Sequence, residues 1–117
     1  VKWNIEFYED SQGVSPVKDY ILIQDAKAQA KILRVIDLLE EYGVTLPHTF
    51  AEKVNDVWEL KERHGTEVYR ILYFAFTGHK FILLHAFTKK TQKTPESEKK
   101  LAEKRRKDYI KRFTNSK

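Results

Sequence analysis

Cysteine is absent from the 117 residues. Its absence excludes a disulfide framework, thiolate catalysis and a cysteine-based zinc site, and leaves the compartment open. Glycine is scarce, and Gly13, Gly43, Gly65 and Gly78 stand apart, so there is no Gly-rich phosphate-binding loop. No apolar run approaches the roughly 18 residues of a membrane-spanning helix. VKWNIEFYED, at the start, has no apolar run of signal-peptide length, so a soluble cytoplasmic protein without membrane attachment is expected. His48, His64, His79 and His85 are scattered, with no HExxH-like spacing, so neither a metal nor a cofactor is expected. No nucleophile-elbow motif is present. Most acidic residues fall on predicted helix surfaces or in turns, which gives paired-carboxylate catalysis little support. There are no internal repeats and no low-complexity linkers.

What is present is enough to fold. A hydrophobic fraction of 41% with 13% aromatics suits one domain, residues 1–117, with one modest core. The net charge of +5 is unevenly spread. From Lys89 onward there are 12 Lys and Arg against 4 Asp and Glu, a net +8, whereas the preceding residues carry 10 against 13, a net −3. A one-sided basic region attracts polyanions, of which nucleic acid is the usual one; a solvated Lys-rich helix is the plainer reading of the same residues.

Trp3, Ile5 and Phe7 alternate with polar residues and predict a half-buried strand. Ser15-Pro16 opens a helix to about Ile23, with Ser15 as cap and proline at the first helical position. A second helix runs from about Ala26 to Tyr42 and stops at Gly43; Ala28, Ile32, Val35, Ile36, Leu39 and Tyr42 mark its buried face. Residues 44–56 read as irregular chain around Pro47. Val57–Glu62, Val68–Phe76 and Lys80–Thr88 then read as three strands joined by turns at His64-Gly65 and Thr77-Gly78-His79, an antiparallel meander whose middle strand is covered on both sides. Thr94-Pro95 repeats the cap-and-proline device and starts a third helix to about Phe113. Its apolar stripe (Leu101, Ala102, Tyr109, Ile110 and Phe113) is thin, so it should pack weakly or against a partner. The order β-α-α-β-β-β-α predicts an α+β fold: a mostly antiparallel sheet, a helical hairpin on one face, and a C-terminal helix.

Antiparallel pairing of these strands brings cations from three separated stretches to one end of the sheet. Lys61 and Arg63 end the first strand of the meander, Arg70 interrupts the central one, and Lys89, Lys90 and Lys93 follow the last. Metal-independent RNA cleavage needs such a cluster. The 2′-OH attacks the adjacent phosphorus, and Arg and Lys stabilise the charge gained in the transition state. A lysine crowded by cations loses its proton more readily and can act as a base. Each residue also has a structural reading. Arg70 pairs with Glu59 or Glu67, Lys61 is a charge on an exposed strand face, and Lys89-Lys90 is a solvated loop. His85 is a core histidine or a base, Tyr109 a packing residue or a phenol near phosphate, and Trp58 and Tyr69 are core or base-stacking platforms.

WELK, YRILYF and LLHAFTKKTQKTP, taken together, resemble the HigB-like, phage-derived branch of the RelE/ParE toxin superfamily. The order of elements also fits. The resemblance implies the toxin of a type II toxin–antitoxin system: a ribosome-dependent mRNA endoribonuclease that inhibits translation. Its expected partners are mRNA in the ribosomal A site, ribosomal RNA and a HigA-like helix-turn-helix antitoxin, through which alone it meets operator DNA. An acidic antitoxin segment is expected over the sheet edge or the last helix. Arg70 in YRI and Lys89-Lys90 in FTKK match the family pattern, which has arginine at the position of Lys61; lysine keeps the charge without the bidentate fork. The expected catalytic set is Arg70, Lys61, Lys89 and Lys90, with Arg70→Ala removing activity from an intact fold. Arg63, Lys93, Arg105, Arg106 and Lys107 are expected to bind RNA or the ribosome, and His85 and Tyr109 are acid/base candidates. Two other readings remain open: a ParE-like gyrase poison, and a non-catalytic member that binds only antitoxin and DNA.

Overall fold

The computed structural model describes residues 2–77, 79–89 and 93–115, with only the backbone of Asn115. The elements are β1 (Asn4–Phe7), α1 (Pro16–Leu22), α2 (Ala26–Tyr42), a 3-10 turn (Gly43–Thr45), β2 (Ala51–Val54), β3 (Val57–His64), β4 (Glu67–Phe76), β5 (Lys80–Lys89) and α3 (Glu96–Asn115). The five strands lie in the order β1-β5-β4-β3-β2. β1 runs parallel to β5, and every other neighbouring pair is antiparallel. This is the expected α+β architecture, with one strand more than expected.

The additional strand is β2, in the segment read as irregular. Ala51 pairs with Leu60 and Val54 with Val57 across an Asn55-Asp56 turn. Asn55 supplies the positive φ, 57°, that such a turn requires. Four residues with two charges in the middle, Glu52 and Lys53, give too little alternation to signal a strand.

Side chains on the two sheet faces build two cores. Leu60, Tyr69, Ile71, Tyr73, Phe81 and Leu83 pack under the α1–α2 hairpin with Val17, Ile21, Ile32, Val35 and Leu39. Leu72, Phe74, Ile82 and Leu84 face α3 and meet Ala102 and Tyr109. Hence β4 is buried without a break from Val68 to Phe74. α3 is therefore docked on the sheet: Ala102 and Tyr109 are fully buried, while Leu101 and Phe113, expected as contacts, are exposed.

The helix starts differ from expectation in detail. Asp25 caps α2, accepting from the backbone N–H of Ala28 at 2.9 Å. Ser15 stands at the N-cap of α1 but makes no side-chain cap bond. Gly43 ends α2 at φ 54°, and a Cβ there would lie 2.1 Å from Trp3 Nε1, so glycine is needed both for backbone and for space.

Candidate cationic site at one end of the sheet

Cross-strand register puts the cations on one face. Lys61 is opposite Arg70, which is opposite Phe87; Arg63 is opposite Val68, which is opposite Lys89. Directly paired residues share a face, here the one that also carries Leu72 and α3. The N-terminal end of α3 reaches this face at Glu98, which bonds His85. Beyond it, toward the end of the sheet, Arg63 and Lys89 are exposed and Lys61 is half-buried. Lys93, also exposed, leads into α3. Lys90 lies outside the described residues.

Arg70 lies in the floor of this site. It is 2% exposed, and Nη1 donates to Glu59 Oε1 at 3.0 Å. Glu59, 1% exposed, accepts on its other oxygen from Thr94 Oγ1 at 2.6 Å. Of the two structural partners open to Arg70, the fold therefore supplies Glu59. Thr94 uses its hydroxyl here rather than as a cap. The three signature stretches WELK, YRI and KTP are thus tied together by one buried network. Two charges removed from water cost several kcal/mol each, so the pair depends on these hydrogen bonds. Lys61 Nζ, above this floor, lies 3.4 Å from Glu52 Oε1, and Glu52 is largely exposed. A pair of this kind is worth about 0–1 kcal/mol, so a phosphate can replace Glu52 at little cost.

His85 sits further along the same face, between two α3 side chains. Nε2 bonds Glu98, and Nδ1 bonds Arg105 Nη1 at 3.0 Å. A guanidinium only donates, so Nδ1 is the acceptor and the neutral ring carries its proton on Nε2. Burial lowers the imidazole pKa and Arg105 lowers it further, against the opposing influence of Glu98. Both ring nitrogens are thus engaged within the fold. Arg105 also donates to the Leu84 carbonyl at 3.0 Å. Arg106 makes two bonds of 2.9 Å to Glu103 and approaches Asp56. Lys107 is exposed on α3. Tyr109 belongs to the other end of the sheet: its hydroxyl donates to Glu6 Oε2 at 2.8 Å, and its ring meets Phe74 and Phe76. Phe76 is six residues from Arg70 along β4, roughly 20 Å at 3.3 Å per residue. Burial, reinforced by Glu6, raises the phenol pKa, so it holds its proton. Trp58 and Tyr69 pack into the hairpin-side core.

The cationic end has neighbours that the sequence reading did not single out. His48, Thr49 and Phe50 join Lys61, Glu62 and Arg63 around a cleft of about 280 Å³. They belong to the segment read as irregular. Its one signal was the Asn55-Asp56 turn, which folds the segment back along β3. Among the described residues, no group of three or more His, Cys, Asp or Glu is placed to hold a metal ion. No helix among them is long and apolar enough to cross a membrane.

Comparison with curated proteins gives no match. The family described as "Phage derived protein Gp49-like (DUF891)" matches residues 19–107. That span runs from α1 into α3 and takes in every site residue above except Tyr109. The chain thus belongs to the Gp49-like family of phage-derived proteins, part of the RelE/ParE-like toxin group.

Proposed function

We propose that this chain is the toxin of a type II toxin–antitoxin pair and that, like the HigB-like branch, it cleaves mRNA on the ribosome. The observation that carries the reading is the convergence of Lys61, Arg63 and Lys89 on one face of three adjacent strands, above the buried Arg70–Glu59 pair. The 2′-hydroxyl gives up its proton to water and its oxygen attacks the neighbouring phosphorus; the P–O5′ bond breaks, and the departing oxygen takes up a proton from water. The products are a 2′,3′-cyclic phosphate and a 5′-hydroxyl. Lys61 and Lys89 meet the phosphate oxygens, whose charge grows in the transition state, so their interactions strengthen there. Arg70 supports both strands from below and, through Glu59 and Thr94, holds the chain that enters α3. An acidic helix-turn-helix antitoxin covers the basic surface, and the toxin acts in the cytoplasm, where translation occurs.

The test is cleavage of mRNA by the purified protein in the presence of translating ribosomes, with both new ends identified. The expected ends are a 2′,3′-cyclic phosphate and a 5′-hydroxyl. Lys61→Ala and Lys89→Ala should each slow cleavage about ten- to a hundredfold. That is less than the roughly 100- to 1000-fold loss for a fully enclosed donor, because exposed groups share the phosphate with solvent and neighbours. Intact mRNA together with gyrase-linked DNA breaks would replace this reading with the ParE-like one.

A further inference from the structure

Where β2 ends, β3 continues. β2 pairs with Val57–Leu60, and the last bond on that side runs from the Lys61 N–H to the Phe50 carbonyl at 2.7 Å. Lys61–His64 therefore extend past their neighbour, and the chain from His48 to Phe50 turns away to leave a cleft. Its lining is chemically mixed. Phe50 is half-buried against the core and offers an aromatic wall; His48, Thr49 and Arg63 are exposed polar groups; Lys61 closes the side toward the cationic site. Glu62 is the one carboxylate in the lining, and Arg34 of α2 neutralises it at 3.1 Å. Glu52 pairs with Lys61 from outside the lining, so three cations (Arg34, Lys61 and Arg63) meet two carboxylates and the cleft is positive on balance. Its volume, about 280 Å³, is near the lower limit of ligand pockets, roughly 300 Å³, and suits one flat ring with its attached phosphate.

We propose that this cleft is a single-nucleotide subsite. It takes one base of the RNA strand beside the cleaved linkage, stacked on Phe50, with its polar edge toward His48 and Thr49 and its phosphate on Lys61 and Arg63. The proposal rests on the nuclease reading for its role in cleavage, where it selects the neighbouring base. The binding chemistry stands on the cleft itself. Stacking on an aromatic side chain accepts any base, so selectivity comes from the imidazole and hydroxyl at the rim.

The experiment titrates the full chain with the dinucleoside monophosphates ApA and UpU and follows backbone amides by NMR. The expected result is perturbation of residues 48–50 and 61–63, with Phe50→Leu weakening binding at least about fivefold. Leucine keeps the apolar packing against the core, and a thermal melt verifies the fold. Phe50→Leu and His48→Ala should also change the base preference next to the mRNA cut, while Lys2→Ala, exposed beside β1 at the opposite edge of the sheet, leaves both readouts alone. Perturbation confined to Lys89 and Lys93, or unchanged affinity in folded Phe50→Leu, would overturn the subsite whether or not mRNA is cut. Binding in the cleft without cleavage on the ribosome would leave the subsite standing and remove the nuclease reading.

Discussion

Arg70 and Glu59 are residues whose separate removal the fold tolerates poorly. Each is almost wholly buried, and each is the other's counter-charge. Arg70→Ala leaves a carboxylate in the core, and Glu59→Gln leaves a guanidinium, so either should cost about 3–5 kcal/mol of stability. The double replacement Glu59→Leu/Arg70→Met, of similar volume, should recover most of that loss, since paired apolar substitutes remove both desolvation penalties. Chemical denaturation of the three proteins checks it; equal destabilisation of single and double variants would contradict it. His85 supplies a pH dependence. Its folded pKa is lowered, chiefly by burial, so between the folded pKa and the ordinary value near 6.5 the unfolded chain binds more protons than the native one. Stability from this group is complete above about pH 6.5 and is lost as pH falls through the folded pKa. Comparing melting temperatures of the wild type and His85→Gln at pH 7 and pH 5.5 should show the wild type losing more. An identical fall in both would assign the loss to other groups. Arg70 stood out in the sequence as a charge inside an apolar run, but its surroundings did not, because burial depends on which residues fold over that run.

At the scale of elements, periodic apolar patterns were legible and interrupted ones were not. β4 showed itself through continuous apolarity, and α2 through its spacing and Gly43. β2 stayed hidden because its pairing is set by a turn and by β3, not by its own alternation. α3 looked too thin to dock because most of its apolar burial falls on two positions, Ala102 and Tyr109, with Arg105 adding a bond to the Leu84 carbonyl of the sheet. Ala102 is the close approach. Ala102→Leu should destabilise by about 1–3 kcal/mol through overpacking, whereas Leu101→Ser, one residue away and exposed, should stay within about 0.5 kcal/mol of the wild type. Thermal melts of the pair separate a docked helix from a loosely attached one; equal small effects would mean that α3 is not held by this face.

For the whole molecule, uneven charge is the property most readily read from sequence, and folding changes what it means. Several cations of the basic quarter are consumed internally: Arg105 by the sheet, Arg106 by Glu103, and Arg112 by Asp108. The cationic set at the sheet end draws on β3, through Lys61 and Arg63, as much as on the basic quarter, through Lys89 and Lys93. Binding of single-stranded RNA should therefore lose affinity with salt, and combining Lys61→Ala with Lys89→Ala should flatten the slope of log affinity against log salt by roughly one for each phosphate no longer neutralised. An unchanged slope would place the RNA elsewhere. The buried Glu59–Arg70–Thr94 network also has a genetic consequence. On the nuclease reading proposed above, a selection for survivors of the chain's expression would recover substitutions at these three positions beside those at Lys61 and Lys89. They would fall in the most recognisable motifs of the chain and look like active-site lesions. Their mark would be low abundance of folded protein, because what such mutants lose first is the structure that holds the chemistry in place.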